Sequence, residues 1–484
     1  MSIRRGLILG WMVVGLQILA AGQNPAPQNT PSQNPPSQTS GDTGGVSDRT
    51  APAAAVSAIA GMQIEGGAEE TSDTLPQIPS FVGGKGISTT VLSKMERSNY
   101  LRAGLNVGAA YDDNPFLVSN GAQSNTSVTI FPNISIQEST SRIRWTLGYA
   151  AGLTINQNLT NQNQGAHNLN FDSEFRLSPH VNLRAAETFS MTTGFFDSGN
   201  GTGVVGSGGP NASLVAPLST QRSSVTTVET NYHFALNDLI GASGTFSNLH
   251  FTNPPKGTVL ADSQTATGSA FWLHRLVGQD WGGVSYHFER ITFDPLGETI
   301  VHSFLVMNSL SLSKRFTLTG FVGPQYSENS GLVSGGGTEP VQSNGWTVSG
   351  GVEGGWRNEH TSVSAGYSRG VSDGGGLLGS VLLQTVHGTV SHQLTPAWAA
   401  ALNASYGANQ SLVAPSTSSA SSINLTSAGV SVERNVGKSL GLRLGYAHDF
   451  QEQFGLPALN PTQDAHRNRF FVTLSYQWAK PLGM

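Results

Sequence analysis

The sequence predicts an all-β fold, an antiparallel transmembrane β-barrel of about 18 strands, with 16 as the next candidate. Three observations lead to this prediction: strands that alternate apolar and polar residues, a succession of short and long connections, and tryptophans gathered at one end of the strands. The clearest alternation runs from Phe470 to Trp478, where even positions are apolar and odd positions are mostly polar. A strand with one apolar and one polar face suits a wall between lipid and water.

The composition agrees with a barrel and argues against an ordinary soluble domain. Charged residues make up 11% of the 484 residues, against about 25% in soluble domains, and cysteine is absent, which excludes disulfides. Beyond the N-terminus, no stretch is apolar and long enough for a transmembrane helix, which needs about 20 residues. Strands that each hide a half-apolar pattern explain the low charge. The net charge of −5 gives no indication of nucleic-acid binding.

The first 22 residues are predicted to be a cleaved signal peptide. Arg4 and Arg5 precede an apolar run that ends at Ala21, with small residues at its close. An N-terminal membrane anchor is the alternative, but the apolar run is short for a membrane span. Residues 23–98 are rich in Pro, Gln, Ser and Gly, so they are predicted to be a disordered periplasmic leader whose last part could plug the barrel.

Residues 99–484 are predicted to form the barrel, because alternating strands begin there. Short turns are predicted near 139–141, 179–180, 236–238, 278–280, 314–315, 358–360, 395–396 and 437–438. Longer polar loops are predicted at 198–219, 252–263, 329–344, 410–420 and 452–464. Strict alternation of short turns and long loops, with an even number of strands, is typical of bacterial outer-membrane barrels, whose short turns are periplasmic.

Tryptophan placement is the third observation. Most tryptophans of the mature chain lie close to a predicted short turn or to the C-terminus, namely Trp145, Trp272, Trp281, Trp356, Trp398 and Trp478, whereas Trp346 lies at the opposite end of its strand. Tryptophan prefers the membrane–water interface. We therefore predict a periplasmic girdle of Trp145, Trp281, Trp356, Trp398 and Trp478. A soluble β-sandwich with scattered aromatic residues, the alternative fold, does not explain this clustering.

Five arginines are predicted to face the lumen near its periplasmic end: Arg102, Arg142, Arg144, Arg176 and Arg184. Clustered arginines in a pore favour anions, so one hypothesis is an anion-attracting vestibule. The alternative is that Asp172, Glu174 and Glu138 neutralise these arginines in salt bridges of the wall. The residues by themselves leave both hypotheses open.

No motif in the sequence indicates catalysis or a cofactor. The 12 histidines lack the spacing of a metal site, and the chain has neither a Gly-x-Ser-x-Gly motif nor a phosphate-binding Gly loop. We therefore expect no catalytic, cofactor-binding or metal-ligating residues. An enzyme built on a barrel would need a Ser/His or acidic/His constellation, for which the sequence gives no support.

The sharpest local motif is Asp112-Asp113-Asn114, followed by Pro115 at the predicted outer end of the first strand. These residue types are typical of a turn that ends a strand, and a cation or sugar contact at the mouth is the alternative. The run from Tyr111 to Phe116, preceded by an exported leader, resembles the β-barrel porin type 2 family, in which some outer-membrane proteins are associated with exopolysaccharide biosynthesis. The ending from Phe471 to Trp478 is similar to the C-terminal insertion signal of outer-membrane barrels, although residues 479–484 follow its last aromatic residue.

The predicted signal peptide and barrel indicate the outer membrane of a Gram-negative bacterium, with outer-membrane lipid and the barrel-assembly machinery as expected partners. A barrel of this size usually encloses an aqueous channel, so the first hypothesis is a porin-like channel that passes solutes or polysaccharide, and the polysaccharide part is implied by the resemblance alone. A second hypothesis is a non-conducting structural or surface barrel in an export or adhesion assembly, and a third is a barrel enzyme. The sequence names neither the cargo nor the oligomeric state.

Overall fold

The computed structural model describes residues 99–482. Within that range it leaves out 116, 118, 120, 161–162, 194–219, 253–260, 279, 295–296, 333–339, 375–378, 413–421, 438 and 455–462. The signal peptide and the leader predicted for residues 1–98 lie outside the described residues. In the part of the chain that is described, no helix has the length and apolarity needed to cross a membrane.

The described residues form 18 strands, and their bounds follow in chain order. They are β1 (Tyr100–Asp112), β2 (Asn125–Ser139), β3 (Ile143–Asn156), β4 (Gln164–Arg176), β5 (Val181–Thr193), β6 (Thr220–Ala235), β7 (Asp238–Thr252), β8 (Asp262–Val277), β9 (Asp280–Asp294), β10 (Gly297–Ser313), β11 (Phe316–Leu332), β12 (Pro340–Arg357), β13 (Thr361–Ser372), β14 (Val381–Thr395), β15 (Trp398–Ser411), β16 (Ser422–Val436), β17 (Leu440–Phe454) and β18 (Gln463–Pro481).

These strands form one closed antiparallel sheet. Each strand pairs with its neighbours in the chain, and β1 also pairs with β18. At this seam Leu101 lies opposite Lys480, and Tyr111 lies opposite Phe470. Closure leaves the sheet without an edge strand, which an open sheet of this size would expose. The all-β barrel fold and the count of 18 strands predicted from the sequence are confirmed.

The wall has an apolar outer face and a mostly polar inner face, because successive side chains of a strand point to opposite sides. Many large apolar residues on the outer face are more than 40% exposed, among them Leu105, Ile134, Leu153, Phe304, Leu402 and Leu444. Their chain neighbours point inward, as Asn106 and Ser303 do, and both of these are buried. The alternating pattern of the sequence therefore sets the two faces.

The two ends of the barrel differ in their connections. Every second connection, starting with β2–β3 and finishing with β16–β17, lies at one end of the barrel, called here the turn end. All the predicted short turns fall at this end. The opposite end, called the loop end, carries the remaining connections. The prediction of strict alternation is wrong at one of them, since only residues 295–296 join β9 to β10. Gly297 follows with a φ of 124°, which glycine adopts without strain.

Some inward-facing glycines make room for an aromatic ring from the adjacent strand. A Cβ atom at Gly152 would collide with the ring of Phe131, and one at Gly445 would collide with the ring of Phe471. Each ring can lie against the wall because its partner has no side chain. This contact explains how Phe471, the apolar exception on the polar face of β18, is accommodated.

Candidate functional site

The lumen wall at the turn end carries a ladder of opposite charges. Arg144 on β3 lies opposite Glu174 on β4, which lies opposite Arg184 on β5, and Glu229 on β6 follows. Arg184 Nη2 is 2.5 Å from Asp172 Oδ2, and its Nη1 is 3.7 Å from Glu229 Oε2. Opposite charges that face each other across strands attract, so this ladder reduces the repulsion among the lumen arginines.

The other arginines predicted for the lumen have different surroundings. Arg102 lies on the inner face of β1, exposed, with its Cζ atom 5.9 Å from the centre of the Tyr100 ring. Arg176 lies at the end of β4, opposite Asn182. Arg142 lies in the turn one residue before β3, and its carbonyl oxygen accepts a hydrogen bond from the backbone N of Arg176, so its place in the lumen stays a prediction. In the described part of the chain, none of these three is in an ion pair within 4.0 Å.

The carboxylates around this ladder differ in part from those expected. Glu138 lies opposite Trp145 on the outer face, so it cannot neutralise arginines in the lumen. Glu229, which sequence reasoning missed, is 4% exposed and faces Arg184 instead. Its inward position follows from the alternation of β6, but its partner depends on the register between β5 and β6. Arg184 thus pairs with Asp172, one of the expected acids, and with Glu229, which was not expected.

The loop end of the β1–β18 seam holds a buried charge cluster on the lumen side. Arg467 Nε is 2.7 Å from Asp112 Oδ2 and 3.8 Å from Asp449 Oδ2, and these side chains are 0–1% exposed. Ser427 Oγ donates a hydrogen bond to Asp449 Oδ1 at 2.7 Å. Arg469, directly opposite Asp112, is 3% exposed. The charges of two carboxylates and two guanidinium groups therefore cancel in a place that water does not reach.

The Asp-Asp-Asn motif joins the first strand to the last. The Asp113 carboxylate accepts hydrogen bonds from the backbone N (2.7 Å) and the Nδ2 (2.6 Å) of Asn468. Asn114 donates from its backbone N to Asp112 Oδ1 at 3.1 Å and from Nδ2 to the carbonyl of His466 at 2.8 Å. The motif therefore has a structural role at the seam, and contact with a cation or sugar stays a prediction.

At the loop end the β13–β14 hairpin separates from β12 but stays joined to β15. Pairing between β12 and β13 stops at Gly350 and Arg369, although β12 remains paired with β11 as far as Pro340. The hairpin itself stays paired up to Ser372 and Val381. Beyond Arg369, β13 continues without β12 beside it, whereas β14 stays paired with β15 as far as Val381 and Ser411.

The tip of this hairpin contacts the inner face of β8 and β10. Ser263 Oγ on β8 donates to Asp373 Oδ2 at 3.4 Å, and the hydroxyls of Thr299 on β10 and Ser380 are 2.5 Å apart. Val371 packs in an apolar cluster whose other buried members are Ala261, Ile291, Phe293 and Val301. The tip therefore lies inside the barrel, which the sequence patterns do not indicate.

A second apolar cluster lies on the inner face of β7–β11. Its members are Leu239, Phe271, Leu273, Trp281, Leu305, Met307 and Phe321. Trp281 is 5% exposed, so its predicted place in the membrane-interface girdle is wrong. The reason is its position in the alternation: Val284, an odd number of residues away, is 50% exposed on the outer face.

The other girdle residues face outward near the turn end. Trp356, Trp398 and Trp478 are 36–43% exposed, and Trp145 lies opposite Glu138 on the same face. The Arg434 guanidinium carbon lies 5.2 Å from the centre of the Trp398 ring. An indole beside a cation at the edge of an apolar belt is typical of a membrane interface, and the girdle stays a prediction for these four tryptophans.

The described residues contain no group of three or more His, Asp or Glu side chains that could hold a metal ion. The nearest arrangement in the lumen is a pair on β9, in which His287 Nε2 lies 3.8 Å from Glu289 Oε2. The expectation that the protein has no catalytic site stays a prediction.

The chain matches no protein-family model and no curated protein. Among solved structures it is similar to the outer membrane protein OpdK from Pseudomonas aeruginosa, with 10% identity, a TM-score of 0.39, and coverage of 78% of this chain and 99% of that one. It is also similar to OccAB3 from Acinetobacter baumannii (10%, 0.41, 79% and 99%) and to the siderophore receptor PirA from Pseudomonas aeruginosa (11%, 0.38, 79% and 81%). Similarity at this level supports no conclusion about this chain, so its fold is assigned from its own strand pairing.

Proposed function

We propose that this protein is a channel of the bacterial outer membrane, through which small hydrophilic solutes diffuse. The observation that carries the proposal is the closed 18-stranded wall with an apolar exterior and a charged, polar interior. In hydrocarbon every backbone N–H and C=O must be bonded within the protein, and a closed β-barrel meets that requirement. The exterior therefore suits lipid, and the interior suits water.

The lengths of the strands agree with a transmembrane wall. The shortest strand, β13, has 12 residues, and the longest, β18, has 19. A tilted strand needs about 9–11 residues to cross the hydrocarbon core. All 18 strands can therefore cross it, and the longer ones would project beyond it.

We further propose a modest preference for anions at the turn end. The ladder pairs Arg184 with acids, whereas Arg102 and Arg176 add positive charge to the same mouth of the lumen. The guanidinium of Arg102 is exposed and that of Arg176 is partly buried, and cationic groups at the mouth of a pore attract anions.

The second candidate is a non-conducting structural barrel, and one observation favours it. Inward side chains at the loop end are almost wholly buried: Asp112, Asn125, Ser127, Gln451 and Arg467 are each 0–1% exposed. A lumen that is closely packed at this end would pass little solute.

Passage of polysaccharide rests on the family resemblance alone.

Planar-bilayer recording distinguishes the two candidates. Purified full-length protein should produce discrete conductance steps, and a salt gradient should give a reversal potential on the anion side. Protein that has been heat-denatured before reconstitution is the control. Silence of both the full-length chain and a variant lacking residues 23–98 would reject the channel in favour of the structural barrel. A cation preference would reject the proposed role of the arginines.

A further inference from the structure

We propose that the tip of the β13–β14 hairpin is the constriction of the lumen. The tip is defined by the described residues 370–374 and 379–383, which lie at the loop end. The inference deepens the proposed channel function and rests on it. It comes from the place where β13 separates from β12 and from the contacts that hold the tip inside.

Separation of β13 from β12 has a cost in backbone hydrogen bonds that other contacts must offset, although β14 keeps β15 as its partner. From Pro340 to Ser349, β12 lacks β13 as a partner. The backbone N–H and C=O groups that would have paired across this boundary must find other hydrogen-bond partners. A hairpin bends inward under these conditions only if contacts in the lumen compensate. Two sets of contacts do so, one apolar and one polar.

The apolar contacts seat the tip on the inner face of β9 and β10. Val371 is 2% exposed and Val381 is 0% exposed, and the wall residues Ile291 and Val301 are 0% exposed. In sequence, Val371 continues the outer face of β13. Because the hairpin folds inward, this face turns toward the lumen side of the wall and buries Val371 there.

The polar contacts latch the tip on either side of its turn. Asp373 accepts a hydrogen bond from Ser263, and Ser380 meets Thr299. Thr299 donates its own proton to Asn329 Oδ1 at 2.8 Å, so Ser380 must donate to Thr299. The latch thus ties the tip to β8, β10 and β11.

The turn within the tip depends on glycine. Gly374 has a φ of +61° and Gly379 a φ of +67°, both in the left-handed region that side chains disfavour. A Cβ atom at Gly374 would also collide with the carbonyl oxygen of Gly379. Glycine at these positions lets the two strands of the hairpin approach closely enough to fit inside the barrel.

A tip in this position must narrow the path through the barrel. It starts from β13 and reaches β8 and β10, so it passes in front of the inner faces of β11 and β12. A two-stranded ribbon occupies about 10 Å of width at the usual strand spacing. Solutes that pass the loop end must go around it.

The first experiment tests the position of the tip without any measurement of transport. The chain has no cysteine, so Thr299→Cys with Ser380→Cys creates a single possible disulfide. The two hydroxyl oxygens are 2.5 Å apart, and sulfur atoms in their place would be near bonding distance. We expect rapid disulfide formation under mild oxidation, seen by a gel shift that a reductant reverses.

A matched control pair joins the same wall residue to the opposite wall. Asn106 faces inward on β1, which lies nine strands away from β10 in either direction around the barrel. Thr299→Cys with Asn106→Cys should therefore stay reduced. If the 299/380 pair stays reduced in folded protein, or if both pairs oxidise equally, the tip does not lie where we propose.

The second experiment measures conductance. Val371 and Leu382 face each other across the hairpin, so an Asn-Gly turn can replace residues 372–381. We expect single-channel conductance to rise about twofold or more, because the tip no longer occupies about 10 Å of the cross-section. The oxidised 299/380 variant should conduct like the unmodified protein.

The outcomes separate this inference from the proposed function. Unchanged conductance after removal of the tip overturns the constriction while the channel stands. If the 299/380 disulfide forms but every variant is silent, the channel function fails, and the constriction fails with it, although the tip is correctly placed. Greater conductance without the tip, together with disulfide formation, supports both.

Discussion

Arg467→Met tests whether the buried ion pair holds the barrel seam together. Arg467 and Asp112 are 355 residues apart in sequence, and their side chains are both 0% exposed. Methionine keeps most of the length of the arginine side chain but removes its charge. Asp112 and Asp449 would then remain buried at the seam with Arg469 as the nearest opposite charge.

The expected loss of stability follows from this burial. Removal of one partner from a buried, hydrogen-bonded ion pair usually costs about 3–5 kcal/mol, because the remaining charge is left without compensation. Arg290→Met is the matched control, since Arg290 Nη2 lies 2.7 Å from Glu298 Oε2 and its side chain is 55% exposed. An exposed pair of this kind contributes about 0–1 kcal/mol.

Equilibrium unfolding in urea, followed by tryptophan fluorescence in reconstituted vesicles, measures both variants. The double variant Asp112→Asn with Arg467→Met should recover part of the loss, since it removes one of the stranded carboxylates. If Arg467→Met is no less stable than Arg290→Met, the seam does not depend on this pair, and the reasoning from burial is refuted.

Three further predictions concern the wall and the lumen. Gly152→Ala should lower the free energy of unfolding by about 1–3 kcal/mol, because the added methyl group collides with Phe131. The same substitution should be nearly neutral in a Phe131→Ala background, and unfolding of both single variants and the double variant tests this. Trp281→Ala should lower the free energy of unfolding by about 3–5 kcal/mol, because this side chain is buried in the lumen cluster. Trp398→Ala should cost less, because Trp398 is partly exposed, and equal losses for the two variants would contradict the assignment of Trp281 to the lumen. Arg102→Gln should shift the reversal potential toward cations at unchanged stability, and no shift would remove Arg102 from the selectivity of the mouth.

Local sequence patterns determined most of the architecture. Alternation from residue to residue fixes which face of a strand is apolar, and short runs of turn-forming residues mark the turn end. Both signals depend only on neighbours in the chain, so the barrel fold and the count of strands could be predicted. Trp281 lies next to a turn, as an interface tryptophan would, but its place in the alternation of β9 puts it on the inner face.

Only the tertiary structure decided which charged groups meet in the lumen. Glu229 faces Arg184, and Asp112 faces Arg467, because of the register between strands and the closure of the barrel. Register and closure depend on the pairing of all the strands together, which no local sequence pattern specifies. The inward fold of the β13–β14 hairpin belongs to the same class, since Asp373 and Ser380 find their partners 110 and 81 residues away. The sequence by itself thus determined a barrel with a lumen, whereas contacts between distant residues decided how that lumen is charged and where it narrows.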